Sequence, residues 1–346
     1  QWFDAPEQEA LRQELVRVGV LDAVESQDAT DDVLLLDDLI AEFEKHLTFE
    51  KERTPAYVVA QVNILNRVFG DCGFHAWGDI VPDKLKGWLL TQRNGERGCS
   101  KRTYCQYVQT LRQFGKYVVD ELELADVNPM RKLKRLPHVK TDQRHPRRIL
   151  TPEELQRVLA AAAAAPSRKG LDGPTRSLLY WFMASTGLRL GECRTLVVSD
   201  LRLNSLDPHV SVKAAHTKNS QSAELPLKRD LADALKDYVQ QSNKLPTAVL
   251  FSGSRKEIND HLADAFALDL RDAGIAYRDD AGEYADLHSL RHYFGTRLAE
   301  SDLSIHEVQR LMRHSSIVTT QRYMHAAKDR MRKGVESLPK LSIKSA

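Results

Sequence analysis

A basic, proline-interrupted segment divides the chain and sets the first limit on its fold. Between Pro129 and Arg148 there are eight lysines and arginines and one acid, Asp142, and the prolines there would interrupt any helix. Stretches of helical spacing lie on both sides, so the segment predicts a basic linker over 126–149 between two domains, which a length of 346 residues also favours. Such a linker is either a solvated tether or a strap that crosses a phosphate backbone.

The part before the linker predicts a small helical domain over 33–125. Apolar residues recur at helical spacing in four stretches, 33–49, 54–69, 82–91 and 100–121. The second stretch begins with Thr54 and Pro55, a typical N-cap residue followed by proline in the first turn. The fourth carries polar side chains that fit either a major-groove contact or a solvated helix face, namely Lys101, Arg102, Gln106 and Arg112.

The part after the linker predicts a second domain over 150–327, mostly helical with one small antiparallel sheet. Helices are expected at 151–165, 175–185, 189–196, 228–241, 257–273, 288–300, 304–313 and 317–327. The first begins with Thr151 and Glu154 and the seventh with Ser304 and Glu307, both spaced as capping boxes. Alternating runs at His209–Ala214 and Ser222–Leu227 flank a polar turn that contains Lys218, which indicates a β-hairpin. The predicted fold class is therefore mainly α.

The charge of the chain is unevenly distributed. The net charge is only +2, but residues 1–50 hold 14 acidic and 3 basic side chains, so the remainder carries +13. A positive surplus of this size favours a polyanionic partner such as nucleic acid. Residues 1–32 form an acidic N-terminal extension with too little positive charge to be a DNA-binding arm, and both protein contact and disorder fit it.

The sequence favours a soluble, cytoplasmic protein with no membrane partner. No stretch approaches the roughly 18 apolar residues of a membrane helix. The chain begins with Gln1, and no basic segment followed by an apolar run precedes the first helix, so no secretory signal is expected. The four cysteines show neither CxxC spacing nor a disulfide-dense pattern, which fits reduced thiols.

Residue types that handle phosphate accumulate in the second domain. Arg189 follows a glycine break, and His288 and Arg291 stand three apart on one expected helix face, where both can reach one anion. Fixed guanidinium groups can stabilise the charge of a phosphodiester in transfer without a metal. No HExxH motif and no cysteine or carboxylate set with metal-ligand spacing is visible, so no metal or cofactor is expected and the protein must supply its own nucleophile.

Three motifs then resemble the tyrosine site-specific recombinase (phage integrase) family. They are Ser185 to Glu192 (STGLRLGE), Leu287 to His292 (LHSLRH), and Arg313 to Tyr323 (RHSSIVTTQRY). The interval from Arg291 to His314 is 23 residues and that from His314 to Tyr323 is 9, as in the family. One departure is Arg313, which stands where members usually have glycine before the histidine.

The resemblance implies a role for each of six residues. Arg189 and Arg291 would hold the scissile phosphate, and His288 and His314 would hydrogen-bond it or manage the tyrosine proton. Tyr323 would be the nucleophile that forms a 3′-phosphotyrosine. Because a phenol has a pKa near 10, attack needs a base, for which His288 is the first candidate. Lys218 would protonate the departing 5′ oxygen.

Two further residues near these motifs have open roles. Lys213 is the alternative to Lys218, and is otherwise interpreted as a structural residue or a phosphate contact. Glu192 is either a group that orients Arg189 or a nearby helix, or a plain surface carboxylate.

The family also implies an architecture and partners. Its helical core-binding domain and catalytic domain form a C-shaped clamp around double-stranded DNA, which favours the strap interpretation of the linker. The segment 328–346 would be a tail that contacts a neighbouring protomer in a homo-tetramer on two DNA sites, with a dimer or monomer off DNA and accessory proteins as further partners. The expected function is site-specific strand cleavage and rejoining without ATP, for integration, excision or resolution. The alternatives are a type IB topoisomerase, which generally has lysine in place of His288, and a DNA-binding regulator derived from an integrase.

Overall fold

The computed structural model describes residues 33–95, 98–137, 142, 144–213, 222–251 and 255–324. The chain divides into two compact units, Gln1–Arg144 and His145–Ala346. The acidic extension 1–32, Lys218 and the tail 328–346 lie outside the described residues. Within the described segments no helix combines the length and the apolar character that crossing a membrane requires.

The first unit contains the four predicted helices. They are α1 (Leu36–Lys45), α2 (Pro55–Cys72), α3 (Pro82–Asn94) and α4 (Lys101–Lys116), and π-helical turns at His46–Glu50 and Tyr117–Glu121 extend α1 and α4. Thr54 occupies the N-cap of α2, but its side chain makes no capping bond. Ser100, in contrast, does cap α4 with its side chain, because its hydroxyl accepts a hydrogen bond from the Thr103 N–H at 3.1 Å.

The core of the first unit is aromatic and includes part of the linker. The Phe114 ring lies 5.5 Å from that of Phe43 and 5.7 Å from that of Phe69, centroid to centroid. Met130 and Leu133, from the predicted linker, are fully buried in this same core. The first part of the linker therefore packs on this unit and is not a solvated tether.

The second unit is helical with one sheet, which confirms the predicted fold class. Its helices are α5 (Pro152–Ala164), α6 (Gly173–Thr186), α7 (Leu190–Cys193), α8 (Arg229–Gln241), α9 (Arg255–Asp272), α10 (Leu287–Glu300), α11 (Ile305–Met312) and α12 (Ile317–Met324). Both predicted capping boxes are present, at Thr151 with Glu154 and at Ser304 with Glu307. The helix after Arg189 is shorter than expected, since α7 has a single turn.

The sheet has three antiparallel strands in the order β1 (Leu201–Arg202), β2 (His209–Val212) and β3 (Ala223–Pro226). Strands β2 and β3 form the predicted hairpin, with Val210 opposite Leu225. The two-residue strand β1 was not predicted, because so short a segment carries no alternating pattern. Lys213, just beyond β2, forms an ion pair with Asp200 at 3.1 Å.

A buried ion pair ties α6 to α9 in the core of the second unit. Arg176 and Asp269 are both fully buried, and Arg176 Nε lies 3.1 Å from Asp269 Oδ2. The Tyr180 hydroxyl donates to the same oxygen at 2.9 Å. Helix α10 packs on α6, and α11 and α12 pack on α10. Helix α6, which this ion pair anchors in the core, therefore supports α10 directly and α11 and α12 through α10.

Candidate active site

The turn that carries Arg189 requires glycine at position 187. Helix α6 ends at Thr186 and is capped by Gly187, whose φ of +63° is left-handed and whose N–H donates to the Met183 carbonyl. A Cβ at this position would lie 2.4 Å from the Phe294 ring. Two residues later, Arg189 occupies the N-cap position of α7. Its side chain therefore lies at the junction between the end of α6 and the start of α7.

Glu192 holds this turn from within the protein. Its side chain is 4% exposed, and its Oε2 accepts from the Arg189 backbone N–H at 2.7 Å and from Arg313 Nη2 at 2.8 Å. Its Oε1 accepts from Arg189 Nη1 at 3.2 Å. Burial raises the pKa of Glu192, but the hydrogen bond and charge of Arg313 outweigh it and leave the pKa lowered. Glu192 is thus a buried anion that orients Arg189, and the interpretation as a surface carboxylate was wrong.

Helix α10 begins at a capping residue that sequence analysis missed. The Asp286 carboxylate accepts from the His288 N–H at 2.9 Å and from Arg147 Nε at 2.6 Å. This cap places His288 in the first turn, where it is exposed. Desolvation of the ring by the surrounding protein, and then the charge of Arg147, lower the pKa of His288, so this imidazole is neutral at pH 7.

Arg291 lies on the same helix, one turn deeper, and is 3% exposed. Its Nη1 donates to the Gly187 carbonyl and its Nη2 donates to the Met312 carbonyl at 2.5 Å. Burial and the charge of Arg189 lower the pKa of Arg291 to about 10, which still leaves it a cation at neutral pH. Arg291 therefore joins the Arg189 turn to the end of α11.

His314 and Tyr323 stack on each other. Their rings lie 6.0 Å apart between centroids, with an interplanar angle of 9°. His314 Nδ1 is 2.9 Å from the hydroxyl of the buried Thr320, which fixes the orientation of the imidazole. Tyr323 is 9% exposed, and burial raises its pKa although the charge of Arg291 partly offsets this. The phenol is therefore protonated at neutral pH and needs a base.

Gly295 makes room for the tyrosine. A Cβ at Gly295 would lie 2.8 Å from Tyr323 Cε1 and 2.9 Å from its Cζ, the atom that bears the hydroxyl. Positions 288, 291 and 295 lie on one face of α10, because they are three and four residues apart. The hydroxyl end of Tyr323 therefore lies against the helix face that carries His288 and Arg291.

His292 is a second residue that sequence analysis did not assign. Its ring lies 5.5 Å from that of Tyr323 and 5.7 Å from that of His288. The sequence did contain a signal for His292 and for Gly295. His292 is the second histidine of the LHSLRH motif, and Gly295 is a glycine inside a predicted helix. Of the six residues predicted for the site, the described part of the chain brings together Arg189, His288, Arg291, His314 and Tyr323.

The lowered pKa values of His292 and His314 predict that the protein is less stable in acid. Burial is the largest cause that lowers the pKa of both His292 and His314 to about 4, compared with about 6.5 in an unfolded chain. Between these values the unfolded chain binds more protons, so the free energy of unfolding falls as the pH is lowered from about 6.5 towards 4. Urea unfolding at pH 7, 6 and 5 should show this fall in wild type, and a smaller one in the His292→Asn and His314→Asn variants.

The control for this prediction is His306→Asn, which replaces an exposed histidine on α11 outside the site. This variant should follow the pH dependence of wild type. Equal slopes in wild type and in both site variants would contradict the assignment of two neutral, desolvated imidazoles.

Comparisons with known proteins agree on one family. The model of the phage integrase family matches residues 148–330. Tyrosine recombinase XerC of Shewanella amazonensis is 28% identical over 283 residues, which cover 81% of this chain and 88% of that protein. The fold is similar to a lambda integrase dimer bound to a COC′ core site, with a TM-score of 0.65 and 17% identity over 97% of this chain and 89% of the other. It is also similar to a lambda integrase tetramer bound to a Holliday junction, with a TM-score of 0.63 and 16% identity over 90% and 88%.

Proposed function

This chain belongs to the phage integrase family, and from that premise we propose that Tyr323 cleaves DNA by forming a covalent 3′-phosphotyrosine. The observation that carries the proposal is the placement of the tyrosine. Its hydroxyl end lies against the face of α10 that holds His288 and Arg291, and its ring stacks on His314. A nucleophile, two fixed cations and neutral imidazoles then surround one position for a phosphate.

In the first step, the Tyr323 oxygen attacks phosphorus while its proton passes to a neutral imidazole. His288 is the proposed acceptor, since its pKa is lowered and it shares a helix face with the hydroxyl contact at Gly295. Arg189 and Arg291 hold the non-bridging oxygens, whose charge increases during transfer. The bond from phosphorus to the 5′ oxygen breaks, and Lys218 is proposed to protonate that oxygen.

Rejoining uses the same groups in reverse. A 5′ hydroxyl attacks the phosphotyrosine, the new phosphodiester forms, and the Tyr323 oxygen leaves and regains a proton. Because the covalent intermediate conserves the energy of the cleaved bond, no ATP is needed. When the 5′ hydroxyl comes from another duplex, the product is recombined DNA. We propose a homo-tetramer on two DNA sites for this exchange, as the lambda integrase tetramer on a Holliday junction suggests.

One face of the first unit is the proposed contact with duplex DNA. Helix α4 buries its apolar side and exposes a polar stripe at intervals of three and four residues, which consists of Arg102, Gln106, Gln109, Arg112 and Lys116. The linker segment lies beside this stripe, since Cys105 Sγ donates to the Leu136 carbonyl at 3.6 Å and Arg135 donates to Gln109. Arg131 and Lys132 line one groove together with Arg112 and Lys116. Lys101, in contrast, is half-buried, and its N–H binds Asp142.

This surface predicts a salt-dependent loss of binding. Each cation that contacts a phosphate releases counterions, so Arg112→Gln and Arg131→Gln should each reduce the slope of log affinity against log salt by about 1. Fluorescence anisotropy with a labelled duplex at several salt concentrations measures that slope. The control is Lys86→Gln on α3, whose ammonium is paired with Asp83 at 2.8 Å. An unchanged slope in both arginine variants would exclude this face as the phosphate contact.

The function itself is tested by covalent capture. Wild-type protein is incubated with sheared DNA of the source organism, denatured in detergent and recovered, and any attached fragments are sequenced. The proposal predicts fragments that share one sequence and end at one position. Binding before denaturation with no attached fragment afterwards would favour a DNA-binding regulator.

A further inference from the structure

The backbone of Arg313 has a conformation that is unfavourable for any residue with a Cβ. Helix α11 ends at Met312, and Arg313 follows with a φ of +52°, in the left-handed region. Glycine occupies such positions at lower cost than any residue with a Cβ. An arginine at this position therefore needs a compensating interaction of its side chain.

That interaction is with the anion that also binds Arg189. The Arg313 side chain is only 9% exposed, and its Nη2 lies 2.8 Å from Glu192 Oε2. The same oxygen accepts from the Arg189 N–H at 2.7 Å, while Arg189 Nη1 reaches Oε1 at 3.2 Å. One buried carboxylate is thus shared between a site arginine and an arginine that has no assigned role.

We propose that Arg313 is a positioning residue, which takes up the charge of Glu192 so that Arg189 stays available to the DNA phosphate. Without Arg313, Glu192 and Arg189 would form a neutral pair, and the guanidinium of Arg189 would be held by its own carboxylate. With Arg313, the three side chains carry one net positive charge next to the phosphate position. Arg313 also directly precedes His314, so the same ion pair joins the His314 turn to the Arg189 turn.

The inference rests on the proposed function and is tested by the rate of covalent complex formation. The substrate is the fragment captured by wild type, nicked beside the cleavage position so that the complex accumulates. Arg313→Met removes the charge, and Arg313→Gly also relieves the left-handed backbone. Both should form the complex about 10- to 100-fold more slowly than wild type, as expected for loss of a buried charged hydrogen bond. Arg313→Lys, which keeps the charge, should be intermediate.

Two further measurements separate positioning from a structural role. Arg313→Gly should lose less stability in urea unfolding than Arg313→Met, because it relieves the left-handed backbone, yet both variants should form the covalent complex equally slowly; a structural role predicts that the rate follows the stability. The double variant Glu192→Gln with Arg313→Met should cleave faster than Arg313→Met alone, because Arg189 is no longer held by an uncompensated carboxylate. Cleavage by Arg313→Gly at the wild-type rate would overturn the inference alone. No covalent complex in wild type would overturn the proposed function, and the inference with it.

Discussion

The Tyr323→Phe variant is expected to form no covalent complex with DNA while it still binds DNA. The substitution removes only the hydroxyl, and the phenyl ring can keep its stacking on His314 and its contact with α10 at Gly295. Loss of a nucleophile typically lowers a rate by about 10⁴-fold or more. Denaturing gel electrophoresis of protein mixed with the captured fragment measures the complex, and anisotropy measures binding, which should change by less than about twofold.

The matched control is Tyr277→Phe, which removes a hydroxyl from a tyrosine that is 40% exposed and outside the site. This variant should form the complex at the wild-type rate. If Tyr323→Phe and Tyr277→Phe behaved alike, the nucleophile would be another group.

The second large effect is expected from Arg291→Lys. The Arg291 guanidinium donates to two carbonyls, those of Gly187 and Met312, and we propose that it also holds the scissile phosphate. A lysine has a single nitrogen and cannot maintain this fork. Loss of one fixed donor to developing negative charge usually costs about 10²- to 10³-fold in rate, and we expect a fall of that size in covalent complex formation.

Part of this effect comes from a loss of stability, because the substitution leaves a buried carbonyl without a partner, which costs about 1–3 kcal/mol. Urea unfolding of the same variant measures that part. The control is Arg297→Lys on the same helix, where the side chain is exposed and pairs with Glu300 at 3.0 Å. It should change neither rate nor stability by much, and a comparable fall in both arginine variants would contradict the role assigned to Arg291.

Much of the fold followed from local signals. Capping boxes at Thr151 and Ser304, and the glycine break at Gly187, marked helix boundaries because each satisfies free backbone groups at a helix end. The burial of Met130 and Leu133 could not be predicted in the same way. Two apolar residues in a basic segment carry no periodicity, and the core they complete comes from helices distant in sequence.

The candidate site could likewise be predicted only where the signal lies along the chain, and not where it depends on contacts in the folded protein. Motif spacing was sufficient to select residues on α10 and α12, because intervals between motifs are visible along the chain. The sharing of Glu192 by Arg189 and Arg313 was not visible, since 121 residues separate Glu192 from Arg313. His292 and Gly295 were missed for a related reason, because their importance depends on a tyrosine that reaches α10 only in the folded chain.

The central claim, that Tyr323 is the covalent nucleophile, is tested most directly by locating the DNA attachment. The captured complex of wild-type protein is digested with nuclease and protease, and the peptides are sequenced by mass spectrometry. We expect one modified peptide, which carries a nucleotide through its 3′ phosphate on Tyr323. A nucleotide on any other residue, or attachment through a 5′ phosphate, would contradict it.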